Sequence, residues 1–266
     1  MLDAPDPDHL KSRRHGSSAA GVAETVRIGT AAWSIPKEHA AAFPPTGSHL
    51  ERYGAVLNAV EINSSFYRPH RTVTYERWAA SVPENFRFAV KIPKVITHEH
   101  RLKETGDLLD RFLSEVSGLG PKLGPLLVQL PPSLRFEDGI ADAFLGELRS
   151  RVECPIVCEP RHVTWFTREI EALLGELRIA RVAADPAPVA GAEKPGGWRG
   201  LSYYRLHGSP RIYYSAYGPE YLAAIAQRIA GDAAAAIETW CIFDNTAAFA
   251  ATGNALTTRG LVRDGC

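Results

Sequence analysis

The chain has 266 residues, 45% hydrophobic and 23% charged, which supplies apolar side chain for a sizeable core in one or two domains. Its 30 basic and 30 acidic residues cancel, so no global field favours nucleic acid or an anionic membrane surface; a local basic patch is left open, and nucleic acid is not the expected partner. No run approaches the ~20 apolar residues needed to span a bilayer.

In chain order, residues 1–24 are rich in Pro, Asp, Ser and Gly and lack an apolar signal core. They read as a disordered tail, and residues 25–266 as one folded domain. Short β-rich runs then alternate with stretches of helical period. Eight strand candidates follow: VRIGTAAW, AVEINSSF, FRFAVKIP, PLLVQLPP, PIVCEPRH, IARVAAD, LSYYRLHG and TWCIFDNT. Between them, a helix is expected from Thr72, capped by Thr72 or Thr74. Another follows with Leu108, Leu109, Phe112, Leu113 and Val116 on one face. A third carries Ile170, Leu173, Leu174 and Leu177, and a fourth Leu222, Ile225 and Ile229. The unit after the first strand, around His49 to Leu57, is short, and PAPVAGAEKPGGWRG after the sixth reads as a loop. The pattern predicts an α/β chain forming a single (β/α)8 TIM-type barrel with irregular helices after strands 1 and 6. No dinucleotide fingerprint and no GxxxxGK[ST] phosphate loop is present.

The four cysteines form no framework. Cys158 and Cys241 lie in apolar runs, Cys154 precedes Pro155, and Cys266 ends the chain. Neither a disulfide scaffold nor a zinc spacing emerges, so a reducing, cytoplasmic setting is expected.

Polar residues fall late in nearly every strand candidate, where barrels of this class place their chemistry. The ends carry Trp33, Glu61 and Asn63, Lys91, Gln129, Glu159 with Arg161 and His162, Asp185, Arg205 with His207, and Asp244 with Asn245. Glu61 and Glu159 are candidates for an acid–base pair if their surroundings split their pKa values; the plainer alternative is that each neutralises a cation. Lys91 is a point charge for a carboxylate or phosphate, or a Schiff-base amine. His207 is a proton carrier or a structural histidine. Glu61, Glu159, His98 and His207 are also metal-ligand types. His98 and His100, however, fall in a loop, and Lys91, Arg161 and Arg205 oppose a divalent ion, so no metal ligand is assigned. Asn245 and Thr246 open the last loop, where Thr246 is expected to cap the next helix beside a phosphate site.

The phrases IGTAAW, VEINSSFYRP, FRFAVKIPKVITH, LGPLLVQLPPS, CEPRHVTWF, YYRLHG and FDNTAAFAATGNA, in that order, resemble the DUF72 (YecE-like) family. The resemblance implies a TIM-type barrel and a site at these positions, including Tyr67, but no established reaction. Ala31 and Ala32 stand where family members commonly have Ser-Gly, and Pro160 where an apolar residue is usual. The expectation is an enzyme using acid–base chemistry, a hydrolysis, isomerisation or lyase step, on a small phosphorylated or carboxylated substrate. Glu61, Glu159, His207 and Lys91 would act; Trp33, Asn63, Tyr67, His98, Gln129, Arg161, His162, Arg205, Asn245 and Thr246 would bind. A metal-dependent phosphodiester hydrolase and a non-catalytic anion-binding barrel are the alternatives. The sequence implies no cofactor, leaves a divalent metal open, and names no oligomeric state.

Overall fold

The computed structural model describes residues 25–265. The tail expected over residues 1–24, and Cys266, lie outside the described residues. Ten strands form one sheet: β1 (Val26–Ala31), β2 (Ala59–Ile62), β3 (Arg87–Lys91), β4 (Leu123–Gln129), β5 (Ile156–Glu159), β6 (Ile179–Arg181), β7 (Ala183–Asp185), β8 (Gly196–Gly197), β9 (Leu201–Leu206) and β10 (Glu238–Phe243). Their order is β7-β9-β10-β1-β2-β3-β4-β5-β6-β8. Only Val182 separates β6, paired with β5, from β7, paired with β9, and its N–H donates to the Cys158 carbonyl at 2.8 Å. The sheet therefore curls almost completely round on itself.

It is a mixed sheet. Every described pairing is parallel except β6 with β8. The region expected to be only a loop supplies β8, which occupies the seam beside β6. Two glycines make this possible: a Cβ on Gly197, whose φ is +62°, would lie 2.6 Å from the Ile179 carbonyl oxygen, and one on Gly196 would lie 2.5 Å from Arg181 Nη2.

Side chains alternate across this sheet, as strand geometry requires. One set packs inside: Ala31, Ala59, Ala89, Leu127, Val157, Tyr203, Trp240 and Ile242. The other set, including Ile28, Val60, Phe88, Val90, Leu126, Val128, Ile156 and Phe243, packs under the helices. Strands buried on both faces read as near-continuous apolar runs, which is why they are visible in the sequence.

The helices are α1 (His49–Gly54), α2 (Ser64–Tyr67), α3 (Thr72–Ala80), α4 (Gly106–Val116), α5 (Ala141–Arg151), α6 (Arg168–Glu176), α7 (Pro219–Ala234) and α8 (Ala250–Asp264). Ser48 and Glu51 form a reciprocal capping box on α1, and the Thr167 hydroxyl accepts from the Ile170 N–H at the start of α6. Helix α4 buries Leu109, Phe112 and Val116, the expected face. No described helix is long and apolar enough to cross a membrane.

Four local expectations change. Strand β2 stops at Ile62, not Phe66: Asn63 turns to helical angles, and the Ser65 hydroxyl contacts the Ile62 carbonyl at 3.0 Å and the Lys91 carbonyl at 2.7 Å. Neither Thr72 nor Thr74 caps α3, whose N-cap is Arg71; the Thr72 hydroxyl instead donates to the Ser114 carbonyl. Thr246 caps nothing, because α8 starts only at Ala250 after Phe249 takes a left-handed φ of 63°. Helix α5 is an addition to the expected set, and it buries Phe144, Leu145 and Leu148.

The closed end of the interior is filled by Trp240, fully buried and stacked on Tyr203 with ring centroids 6.0 Å apart. Gly124 leaves room for it, since a Cβ there would lie 2.7 Å from the indole ring. Gly124→Ala is expected to destabilise by about 1–3 kcal/mol through overpacking. Gly146→Ala, inside α5 with nothing within 4 Å of the new methyl, is expected to gain roughly 0.5–1 kcal/mol. Urea midpoints at unchanged slope measure both; equal midpoints for the two variants would contradict this packing.

Candidate functional site

Two residues beyond the apolar inner layer, the same inward face becomes charged. Ala59 leads to Glu61, Ala89 to Lys91, Leu127 to Gln129, Val157 to Glu159, Tyr203 to Arg205, and Ile242 to Asp244. All six polar residues are buried.

Arg205 is their centre. Its Nη2 donates to Glu61 Oε1 at 2.7 Å and meets Asp244 Oδ2 at 2.9 Å, while Nη1 donates to Glu159 Oε2 at 3.1 Å. Nε completes the fork on Glu61 at 3.1 Å. The second Glu61 oxygen also accepts from the Tyr203 hydroxyl at 2.8 Å. Arg161 clamps Glu159 from outside, with Nη2 2.8 Å from Oε1. His207 bridges two carboxylates: Nδ1 lies 3.0 Å from Asp244 Oδ2, and Nε2 lies 3.0 Å from Glu159 Oε1. The two carboxylates favour the doubly protonated ring, which can donate to both. Arg205 Nη1 lies 3.4 Å from Nδ1 and Arg161 Nη2 3.3 Å from Nε2, cationic contacts that the flanking carboxylates offset.

The electrostatics follow. Burial works to raise the Glu159 carboxyl, but Arg205, His207 and Arg161 outweigh it and hold it well below the usual carboxylate range. Asp244 is likewise lowered, with burial overcome by Arg205 and His207. Burial works to lower His207, and Glu159 with Asp244 reverses this, leaving its pKa raised. Lys91 goes the other way: burial, then the charge of Arg205, bring it down to about 8 despite Glu61, Glu159 and Asp244. Its Nζ sits 3.9 Å over the Phe66 ring, and no hydrogen bond or ion pair joins it to a described residue. His98 is brought to about 4 by burial, then by Lys91 and Arg161, and is neutral near pH 7; its Nδ1 lies 2.9 Å from the Thr97 hydroxyl.

Glu61, Lys91, Gln129, Glu159, Arg161, Arg205, His207 and His98 are thus brought together, with Asn63 joined through its Nδ2, 3.3 Å from Asp244 Oδ1. The other expected binders make the following contacts. Asn245 is out of phase with Ile242 and donates to the Ser215 carbonyl and Asn254 Oδ1, both at 2.9 Å, tying a loop to α8. His162 accepts from the Thr164 N–H and caps the turn Val163–Trp165. Trp33 packs edge-on against Trp78 with centroids 5.1 Å apart. Tyr67 is 78% exposed, edge-on to Phe66. Thr246 lies in the turn before Phe249. Tyr203 is a contact in this cluster that sequence reasoning does not single out, and Asp244, named there among the strand ends, is given no role; both are two-residue steps along already recognised strands. Among the described residues no group of three His, Cys, Asp or Glu is placed to hold a metal ion. The carboxylate set already surrounds a guanidinium, a donor arrangement that does not fit a divalent cation as well.

A sequence profile described as "Protein of unknown function DUF72" matches residues 27–265. The chain belongs to the DUF72 family. Among DUF72-related proteins, "UPF0759 protein YecE" of Escherichia coli (strain K12) is 30% identical over 177 residues, 63% of this chain and 61% of that one. "UPF0759 protein YunF" of Bacillus subtilis (strain 168) is 26% identical over 152 residues, 53% of this chain and 52% of its own. The aligned segment thus spans less than two thirds of either relative. A DUF72 family protein from Enterococcus faecalis V583 superposes with a TM-score of 0.76 at 22% identity, over 89% of this chain and 95% of that one. One from Thermotoga maritima MSB8 gives 0.74 at 23% identity, over 90% and 99%. These structures share the barrel-like α/β fold of the DUF72 chain.

Two outcomes test the site's electrostatics. Arg205→Met leaves Glu61, Glu159 and Asp244 buried without their common partner and is expected to cost about 3–5 kcal/mol in denaturant unfolding; a loss under ~0.5 kcal/mol, typical of surface changes, would contradict it. The second is pH-dependent. A raised His207 contributes stability below its ordinary 6.5 and loses it as pH rises through the folded value. A lowered Glu159 contributes above its ordinary 4.5 and loses that as pH falls through its folded value. The wild-type advantage over His207→Gln should therefore be largest between those two ordinary values and shrink as the solution becomes alkaline. A gap that stays constant from about pH 6 to about pH 9 would contradict a raised His207.

Proposed function

We propose that this DUF72 chain is an enzyme using acid–base chemistry on a small anionic substrate, held at the end of the barrel where Glu61, Lys91, Glu159, Arg161, Arg205 and His207 meet. One observation carries the reading. Among the described residues, four basic groups (Lys91, Arg161, Arg205 and His207) face three carboxylates (Glu61, Glu159 and Asp244), and Lys91 is left without a carboxylate partner, over the Phe66 ring. The cluster carries one positive charge in excess when Lys91 and His207 are protonated. A phosphate or carboxylate group would neutralise it, contacting Lys91 Nζ, the outer edge of Arg161 and the Gln129 amide.

The roles differ from the simplest assignment. Glu159 is too strongly stabilised as an anion to be an effective base near neutrality, and Glu61 is saturated by Arg205 and Tyr203. His207 shares both of its protons with carboxylates. These groups form a rigid electrostatic floor. Proton transfer falls to Lys91, whose pKa of about 8 lets it exist in both protonation states near physiological pH. We also read β6 and β7 as halves of one strand interrupted at Val182, which makes the fold an eight-stranded parallel (β/α)8 barrel with β8 as an addition; the shared chain path and the pairing of each half support this.

Phosphate or sulfate should raise the melting temperature in a saturable way, equivalent to about 2.7 kcal/mol at 100 times the dissociation constant. Chloride at equal ionic strength should do much less. Lys91→Met and Arg161→Met should each weaken the effect. Oxyanions that act no differently from chloride would remove the case for an anionic substrate.

A further inference from the structure

We infer that Lys91 is a covalent catalyst, its Nζ forming an imine with the carbonyl carbon of an anionic aldehyde or ketone. The inference rests on the anion-binding reading above and names the substrate class and the bond formed.

The geometry sets Lys91 apart from every other cation at the site. Arg205, Arg161 and His207 each grip carboxylates at 2.7–3.1 Å. Lys91, 7% exposed, has only the face of Phe66 beneath it. A second buried lysine in the same fold gives the contrast. Lys122, 8% exposed, serves the scaffold and donates to the Ala79 carbonyl at 2.9 Å and the Val82 carbonyl at 2.7 Å. Among the described residues Lys91 has no such acceptors, although three carboxylates are close enough to influence it. Arg205 holds all three. Burial out of bulk water and the nearby charge of Arg205 are the two settings that favour a neutral, nucleophilic amine, and they outweigh the cation–π contact with Phe66, which favours the ammonium. The lowering of its pKa to about 8 agrees.

The neutral amine's lone pair attacks the carbonyl carbon, forming the C–N bond while the carbonyl oxygen takes a proton. Nitrogen then loses a proton and the hydroxyl leaves with one as water, giving the protonated imine. One water is released and one proton is taken up overall from solvent, nothing is oxidised or reduced, and no other co-reactant is required. The imine keeps the positive charge at Lys91, so the substrate's anionic group remains compensated. It is also an electron sink, which makes an adjacent C–H bond acidic or an adjacent C–C bond breakable. The reaction class narrows to isomerisation or carbon–carbon lysis. Gln129 stands on the neighbouring strand, two residues beyond Leu127, the register partner of Lys91, where its amide faces the same side.

The test is reductive trapping. The purified full chain is mixed at pH near 8 with glyoxylate, pyruvate, dihydroxyacetone phosphate or uncharged dihydroxyacetone, reduced with borohydride, and examined by intact mass and peptide mapping. At least one anionic carbonyl compound should leave a single adduct on the peptide carrying Lys91, at about tenfold or more over dihydroxyacetone. Lys91→Arg, which keeps the charge but cannot form the imine, should abolish it; Lys94→Met, an exposed neighbour, should not. Mapping in the wild type locates the adduct even if a variant folds poorly. Labels scattered over surface lysines, or no label at Lys91 from any anionic probe, overturn the inference. If oxyanions stabilise the protein through Lys91 and Arg161 but nothing is trapped, the covalent step fails and the anion site stands. If dihydroxyacetone traps at Lys91 as well as the charged probes do, the imine stands and the anionic substrate fails.

Discussion

A single fully buried guanidinium organises the charged end of the sheet's interior. Arg205 reaches Glu61 from β2, Glu159 from β5 and the Asp244 that follows β10, so one side chain ties together strands distant in sequence. Burying these charges is expensive, and their attraction offsets the cost only when geometry is good and the remaining polar atoms are bonded. Tyr203, His207, Arg161 and Asn63 supply those bonds. The network depends on strand register: shifting any contributing strand by one residue would turn its carboxylate out of the barrel and an apolar side chain in.

The same arrangement decides what is left for chemistry. Because Arg205 and His207 take up the carboxylates, neither Glu61 nor Glu159 is a free base, and the plainer alternative of cations neutralising carboxylates describes Arg205 well. It does not describe Lys91. Burial, then the neighbouring charge of Arg205, lowers that amine's proton affinity. In the reading proposed above, stability and reactivity fall to different residues.

Much of this is legible in the sequence because strands buried on both faces announce themselves, and because polar residues at their ends keep the two-residue phase of the interior. Ala59–Glu61, Ala89–Lys91 and Val157–Glu159 follow that rule, as do Tyr203–Arg205 and Ile242–Asp244. Choosing Asn245 over Asp244 ignores the phase set by Trp240 and Ile242. Other details depend on tertiary partners. Phe66 looks like strand, yet Ser65 bonds the carbonyls of both Ile62 and Lys91 and turns the chain into α2, which puts the Phe66 ring under the amine. The addition of β8 depends on two glycines fitting against Arg181 and Ile179, contacts without a local sequence signal.

The most direct measurement of the central claim is an NMR titration of the protein with lysine labelled by ¹³C at Cε. The account predicts one lysine with a midpoint near 8, far from the ordinary 10.5, which disappears from the spectrum of Lys91→Met. A spectrum in which every lysine titrates near its ordinary value would show that Lys91 is paired or solvated, and would contradict a site built to leave that amine free.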